Sequence, residues 1–395
     1  MRKLLLCAAI ASVALSSCVK EEVDAHQNQG QKITFDSPVM FSNENTKANV
    51  YGEIGAVTEN SVTYTYPKNE KFVIFAVGHE DSLESWNDGT VAGFNGQALT
   101  YDRDVDGWAP KTNESKYYYW ETGRMMSFAA SSPADLEQDH WGGANKRTYD
   151  DEGLHILDFQ ISADASKQYD LLFSTRACNQ TAANMNHAAN YYSGLPVRFQ
   201  HALSSIRFSV SNSSEESVVL TGITISGVKY KGDFNENITE DGDLYDRTEG
   251  TGNVVPEWDV QNDTIVNPYI AFQGNIAFVS EPRYLSQLVG EAGDSTNVCN
   301  QLLLMPQELP DAAAITVHYT VNGRSNHKTI KLKGLKSYKR IDNNDVESGT
   351  INSWEMGKRY TYRLHYSSET AARDKIYFAP STEGWQDVDI IIVDL

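Results

Sequence analysis

Cysteine is scarce in this chain, which contains four among 395 residues. Cys7 and Cys18 lie in the N-terminal segment, which leaves Cys178 and Cys299 for a folded part. A disulfide scaffold is excluded, because such scaffolds place several cysteine pairs in a short chain. We expect Cys178 and Cys299 to be two buried free thiols, and the alternative is a disulfide between them.

Basic residues are few relative to acidic ones, with 33 Lys and Arg against 53 Asp and Glu, which gives a formal net charge of -20. Loss of Arg2 and Lys3 with an N-terminal leader would change the charge to -22, since the first 17 residues contain no acidic side chain. Such a charge repels phosphate backbones. We therefore expect no nucleic-acid partner.

The familiar catalytic motifs are missing: there is no Gly-x-Ser-x-Gly, His-Glu-x-x-His, Cys-x-x-Cys or Walker pattern. The nine histidines occur singly, without a spacing typical of metal ligands. These absences predict a protein that is not an enzyme and has no cofactor and no metal site. A surface glycoside hydrolase with two facing carboxylates stays an alternative, because the acidic residues leave many pairings open.

One segment, Asp102 to Gly107, resembles the start of an EF-hand calcium loop. Position twelve of that loop would be Asn113 instead of the glutamate that closes such sites. Asp106-Gly107 is also a turn signal between two extended segments. We expect a hairpin turn here rather than a calcium site.

The N-terminal apolar run, Leu4 to Leu15, has about half of the ~20 residues that a transmembrane helix needs. It follows two basic residues and precedes Leu15-Ser16-Ser17-Cys18, so residues 1–17 are predicted to be a signal peptide. The cleavage box resembles a bacterial lipobox, which implies that Cys18 is the acylated N-terminus of an outer-membrane, surface-exposed lipoprotein. The alternative is an ordinary signal peptide that contains a cysteine. The polar residues 18–31 then form a lipidated tether.

The rest of the chain shows strand periodicity and no stretch with helical period. Phe72 to Val77 is apolar throughout and is typical of a central strand. Asn322-Gly323 follows an alternating segment and predicts a hairpin. Tyr360 to Tyr366 alternates apolar and polar residues, which predicts a strand with one face in water. The fold is therefore predicted to be all-β, with antiparallel sandwich domains at 32–195 and 196–395.

The first predicted strand places Ile33, Phe35, Val39 and Phe41 on one face at period two. Pro38 interrupts it, and because proline cannot donate a backbone hydrogen bond, we expect this strand at a sheet edge. The polar run at 42–49 follows at once and predicts an exposed, protease-accessible loop.

Short apolar and aromatic phrases succeed one another along nearly the whole chain. Together, in this order and spacing, they resemble the fimbrillin family, the lipoprotein precursors of type V pili on Bacteroidota surfaces. The phrases are Phe72–Ala76, Tyr119–Pro133, Phe199–Ile206, Leu220–Gly227, Leu303–Gln307, Trp354–Tyr362 and Ile376–Trp385.

This resemblance implies two tandem transthyretin-like sandwiches and assembly by strand exchange. A protease would remove the first strand, and the C-terminal strand of another pilin subunit would fill the groove. The family's processing site follows arginine, whereas the matching loop here offers Lys47, which suits a trypsin-like protease. Implied partners are other pilin subunits, the outer membrane through lipid on Cys18, and host or bacterial surface ligands.

The candidate donor strand is the C-terminal segment 387–395, in which Val388, Ile390 and Ile392 form one apolar face. The alternative is that this strand completes its own domain. A rival function is a glycan-binding outer-membrane lipoprotein that uses exposed Trp or Tyr faces. Tyr117–Trp120 could line such a platform, but we expect it in the core, as is typical of aromatic residues in strands.

Overall fold

In the computed structural model, most of the described residues lie in short β-strands. The described residues are 39–40, 56–57, 64–65, 70–80, 95–102, 107–109, 124–135, 146–174, 176–181, 197–238, 256–262, 267–341, 344–367, 386–387 and 390–394. Within them the chain forms 29 strands, one α-helix and one short 3-10 helix at Ala165–Lys167. The fold class predicted from the alternating sequence, all-β, is confirmed.

The largest sheet has ten strands and collects most of the N-terminal elements. Its centre is apolar on both faces: the residues of the strand Phe72–His79 are buried from Phe72 to Gly78, as predicted for a central strand. The order across the sheet is β2 (Ala56–Val57), β3 (Tyr64–Thr65), β1 (Val39–Met40), β12 (Arg198–His201), β10 (Leu172–Ser174), β7 (Met125–Ser132), β4 (Phe72–His79), β5 (Asn95–Asp102) and β6 (Gly107–Ala109), with β11 (Ala177–Gln180) paired to β7.

Two smaller sheets are antiparallel throughout. The four-stranded sheet runs β16 (Glu257–Val260), β15 (Lys231–Asn235), β9 (Gly153–Gln160) and β8 (Arg147–Asp150). The five-stranded sheet runs β19 (Val298–Cys299), β17 (Tyr269–Ala277), β14 (Val218–Ser226), β22 (Ala314–Val321) and β23 (Arg324–Lys331).

The eight-stranded sheet contains the C-terminal segment. Its order is β18 (Arg283–Tyr284), β13 (Ser204–Asn212), β27 (Lys358–Tyr366), β29 (Ile390–Asp394), β24 (Leu335–Ile341) and β25 (Asn344–Ile351), with β20 (Leu302–Leu304) paired to β13 and β28 (Gln386–Asp387) paired to β27. A last pair joins β21 (Gln307–Glu308) to β26 (Ser353–Trp354).

Strands from both sides of residue 195 share two of these sheets. β9 pairs with β15 in the four-stranded sheet, and β10 pairs with β12 in the ten-stranded sheet. Aromatic contacts join the same halves: Phe173 lies 5.1 Å from Phe234, and Phe159 lies 5.6 Å from Trp258, between ring centroids. The division into domains 32–195 and 196–395 stays a prediction, as does their transthyretin-like topology.

The strand β27 differs from its prediction, because both of its faces are buried. Tyr360, Tyr362 and Leu364 lie in the apolar core, and the polar residues Thr361 and Arg363 are also buried, with 3% and 4% exposure. The expectation of a water-facing side is therefore wrong. At Thr361 a polar neighbour replaces water, because its hydroxyl accepts a hydrogen bond from Nε of Arg207.

The helix α1, Leu285–Ala292, was not predicted from periodicity. It buries Leu285 and Leu288, one turn apart, and ends at Gly293 in the left-handed conformation. A helix of two turns offers too few residues for a clear 3.6-residue period. Within the described residues no helix has the length and apolar character needed to cross a membrane.

Candidate assembly site at the terminal strands

The first strand, β1, lies between two neighbours of opposite direction. Val39 and Met40 pair in parallel with Arg198 and Phe199 of β12. On the other side they pair antiparallel with β3, where Val39 is opposite Thr65 and Met40 is opposite Tyr64. The slot occupied by β1 therefore has one parallel wall and one antiparallel wall.

The C-terminal strand, β29, lies in a slot of the same kind. It pairs in parallel with β27, so that Ile391, Ile392 and Val393 are opposite Tyr362, Arg363 and Leu364. It pairs antiparallel with β24, where Ile390 is opposite Tyr338 and Ile391 is opposite Ser337. In this structure the C-terminal strand thus lies in a sheet of its own chain.

The two slots have neighbours of the same polarity, one parallel and one antiparallel. A strand that runs in one direction meets evenly spaced, slanted bonds at a parallel wall and paired, perpendicular bonds at an antiparallel wall. Both antiparallel walls also place a tyrosine next to a hydroxyl residue, Tyr64-Thr65 in β3 and Ser337-Tyr338 in β24. A strand that lies in one slot would therefore also have one parallel and one antiparallel neighbour in the other.

The prediction that the first strand lies at a sheet edge is wrong for Val39–Met40, because both sides of this strand are paired. The physical reason is that the backbone N–H groups of Val39 and Met40, which follow Pro38, can still join ladders on either side. Ile33, Phe35 and Phe41, the other members of the predicted apolar face, lie outside the described residues.

The parallel wall of the C-terminal slot is a rigid, buried strand. The ring of Tyr362 stacks against Phe208 with 5.7 Å between centroids, and its hydroxyl accepts a hydrogen bond from Nε1 of Trp354 at 3.0 Å. Burial raises the pKa of Tyr362 well above its usual value, so this hydroxyl stays neutral. Rigid packing of this kind preserves the shape of the slot wall.

Register separates the residues of the candidate donor strand into two groups. Ile391 and Val393 are opposite the core residues Tyr362 and Leu364, whereas Ile392 is opposite Arg363. Val388 lies outside the described residues, so the predicted plug of Val388, Ile390 and Ile392 stays a prediction.

Basic residues on β27 are opposite acidic residues of the C-terminal segment. Arg359 is opposite Asp387 of β28, and His365 is opposite Asp394 of β29. Arg359 has only 1% exposure. Arg359 and Asp387 carry opposite charges at facing positions, which favours one register over its neighbours, because a shift by one residue would separate them.

The buried polar face of β13 and β27 continues away from this slot. The guanidinium of Arg207 donates through Nε to Oγ1 of Thr361 at 2.9 Å and through Nη2 to the hydroxyl of Tyr284 at 3.1 Å. It also lies 4.3 Å from the centroid of the Tyr284 ring. These contacts explain how a polar strand face is accommodated away from water.

The hairpin β24–β25 reaches the rest of its sheet through β29, which lies between β24 and β27. Departure of β29 would therefore leave the inner edge of β24 unpaired, along with the outer edge of β27. Unpaired strand edges readily bind other strands. Removal of the C-terminal strand thus opens a second acceptor edge in the same molecule.

Cys18 and Lys47 lie outside the described residues, so lipidation and processing stay predictions. Cys299 is a free cysteine, and burial raises the pKa of its thiol to about 12. The disulfide alternative with Cys178 is therefore not formed. Among the residues that the structure describes, no group of three or more His, Cys, Asp or Glu side chains could hold a metal ion.

The two ends of the EF-hand-like segment pair with each other as antiparallel strands. Asp102, at the end of β5, is paired with Gly107, at the start of β6, and the register continues through Tyr101 and Trp108. The predicted hairpin turn is thus confirmed.

A protein-family model described as fimbrillin-like matches residues 56–385 of the chain. No curated protein matches the sequence significantly.

Solved structures with a similar arrangement come from Bacteroidota. A candidate cell adhesion protein from Bacteroides uniformis is 10% identical, with a TM-score of 0.44 over 92% of this chain and 98% of that one. One from Bacteroides ovatus is 13% identical, with a TM-score of 0.42 over 87% and 96%. A fimbrilin from Porphyromonas gingivalis is 10% identical, with a TM-score of 0.34 over 85% and 90%.

Proposed function

Because the chain belongs to the fimbrillin-like family, we propose that it is a structural or adhesive subunit of a surface fimbria, joined to other pilin subunits by exchange of a terminal strand. The observation that carries the exchange step is that the neighbours of the two slots have the same strand directions. β1 and β29 each lie between a parallel and an antiparallel neighbour, so β29 of one subunit could replace β1 of another without reversing direction.

The proposal assigns a role to each predicted site. Cleavage after Lys47 removes the first strand, including Val39 and Met40, and leaves the space between β12 and β3 vacant. The segment 387–395 of a second subunit then enters, with Ile390 and Ile392 among its apolar residues. Each fully buried side chain of this size contributes roughly 1.5 to 3 kcal/mol, so a few of them plus a backbone ladder would hold two subunits firmly.

The same proposal places the unprocessed chain on the outer membrane. Residues 1–17 direct export, and the acylated Cys18 holds the folded part through the tether 18–31. Processing after Lys47 would release the subunit from its lipid. A chain that keeps its lipid would serve as a basal anchor.

A binding role without catalysis agrees with the family. The glycan-binding rival needs exposed aromatic faces, and within the described side chains every Phe, Tyr and Trp is buried or half-buried. The rival's Tyr117–Trp120 lies outside the described residues. No observation favours this rival over a fimbrial role.

A disulfide lock tests the exchange step directly. Ser337→Cys with Ile391→Cys joins register partners on adjacent antiparallel strands, whose Cα atoms lie within the range that a disulfide spans. Trimming of the oxidised variant at Lys47 should give monomers, and reduction should restore fibres visible by electron microscopy. Thr316→Cys with Thr329→Cys, which locks the β22–β23 hairpin, is the matched control and should polymerise in both states.

Mass spectrometry of protein sheared from cells tests processing and lipidation separately. Fibrous material should contain chains that begin at Ala48, and cell-bound material should contain chains that begin at acylated Cys18. Fibres formed by the oxidised variant that is locked between positions 337 and 391 would contradict the exchange step while leaving the fimbrial role open.

A further inference from the structure

The hairpin β22–β23 has one polar face, and its turn fixes the pairing register of the two strands. Asn322 and Gly323 form a two-residue connection with φ of 49° and 79°, the positive values of a type I′ turn. The opposite face packs in the core through Ile315 and Val317, both with 0% exposure. Side chains on the polar face therefore project from a fixed frame.

Two exposed histidines, His318 and His327, lie directly opposite each other on this face. Their ring centroids are 5.9 Å apart and their planes are inclined by 27°. Counting outward from the two-residue turn, this is a non-hydrogen-bonded pair, the class in which facing side chains approach most closely. The two imidazoles are therefore neighbours because the register of the hairpin places them opposite each other.

The surroundings of the pair are small and uncharged. Thr316 and Thr329, the next pair on the same face, join their hydroxyls at 3.0 Å. On the β14 side, Gly222 leaves room beside His318: even a Cβ atom there would lie 3.7 Å from its ring. β23 is the last strand of this sheet in the described part of the chain, so the flank of His327 is open too.

We propose that His318 and His327 chelate one divalent transition metal ion, Cu²⁺ ahead of Ni²⁺ and Zn²⁺, through one nitrogen from each ring, with water completing the coordination. Imidazole suits these metals, and the order follows the usual ranking of their affinities. A chelate with bonds of about 2.0 to 2.1 Å needs the two nitrogens about 3 Å apart. Exposed rings reach this separation by ordinary side-chain rotation.

Electrostatics permit a cation at this position. The nearest lysine on the same face, Lys331, is four residues along β23 from His327, or about 14 Å at ~3.4 Å per residue. That distance exceeds a Debye length of about 8 Å at physiological ionic strength. The net charge of -20 also raises the local concentration of cations around the protein.

Copper titration of the full chain without a polyhistidine tag tests the site. The variant His318→Thr with His327→Thr keeps the strand propensity of the neighbouring threonines. It should lose one equivalent of bound Cu²⁺ by calorimetry, and the copper spectrum in electron paramagnetic resonance should lose the hyperfine pattern of two nitrogen ligands. Either single variant should bind at least about tenfold more weakly, because a lone imidazole cannot chelate.

The control variant Thr316→Ala with Thr329→Ala alters the neighbouring cross-strand pair and should bind copper as the unchanged chain does. Equal copper stoichiometry and affinity in the double histidine variant would overturn the proposal. Equal loss of binding in the threonine control would overturn it as well, since the histidines would then not be the ligands.

Discussion

The carboxylate of Glu236 lies directly against Gly153: a Cβ atom at position 153 would be 2.7 Å from Oε2 of Glu236 and 2.9 Å from its Cβ. The same Oε2 accepts a hydrogen bond from the backbone N–H of Leu154 at 2.8 Å. Gly153 also has a φ of +103°, which side chains rarely tolerate. This contact fixes β15 against the β8–β9 hairpin, which comes from the other side of residue 195.

Gly153→Ala should therefore destabilise the protein by roughly 2 kcal/mol or more, because it adds both a clash and backbone strain. Urea unfolding followed by circular dichroism measures the change. Gly290→Ala is the matched control: it lies in helix α1 with nothing within 4 Å of a new Cβ, and it should stabilise slightly. Equal stability of the two variants would contradict the close contact.

Glu236 also predicts a pH dependence of stability. Burial is the main cause that raises the pKa of Glu236 from 4.5 to about 7, against the opposing effects of the Leu154 amide, Arg176 and Tyr149. The folded state therefore holds a proton that the unfolded state releases between pH 4.5 and 7. Stability contributed by this group is present below pH 4.5 and is lost as the pH rises to 7, by roughly 3 kcal/mol.

Glu236→Gln should remove this component of the pH dependence. The stability of the variant relative to the unchanged chain should therefore increase as the pH rises from 4.5 to 8. The free energy of unfolding in urea, measured at half-unit steps of pH, provides the comparison. Glu281→Gln, at an exposed position, should follow the unchanged chain throughout. Parallel curves for the Glu236 variant and the unchanged chain would contradict a protonated Glu236.

Deletion of residues 388–395 should loosen one hairpin selectively. β29 separates β24 from β27, so the amides of β24 and β25 should exchange faster with deuterium after the deletion. The hairpin β22–β23, in another sheet, should keep its exchange rates. Unchanged protection of β24 would show that the C-terminal strand does not occupy this slot in the free subunit.

The hydrogen bond from Trp354 to Tyr362 predicts an energetic coupling between these residues. Tyr362→Phe leaves the buried Nε1 of Trp354 without its acceptor and should cost about 1 to 3 kcal/mol. In a double-mutant cycle, Tyr362→Phe should lower the free energy of unfolding less in the Trp354→Phe background than in the unchanged chain. Additive costs from thermal unfolding would argue against the bond.

The sequence predicted the local features well because they depend on nearby residues. Alternation gave the strands, the apolar run Phe72–Val77 gave a central strand, and Asn322-Gly323 gave a hairpin with two-residue connection. The histidine pair was within reach of the same reasoning. His318 and His327 stand four residues on either side of that turn, so a fixed register places them face to face.

Other features depend on segments that are distant in sequence. The polar side of β27 is buried, although its alternation is typical of a strand in contact with water. One reason is Arg207 of β13, whose guanidinium donates hydrogen bonds to both Thr361 and Tyr284. Likewise, neither Pro38 nor its neighbours indicate that β12 and β3 would pair with β1 on both sides.

By itself the sequence determined that this chain folds into short strands and resembles the fimbrillin family, since these follow from composition and local order. Only the tertiary structure decided which strands are neighbours, that β1 and β29 occupy slots of the same polarity, and that Glu236 meets Gly153. Strand neighbours are chosen by burial of whole faces against distant segments, and that choice is a property of the folded chain.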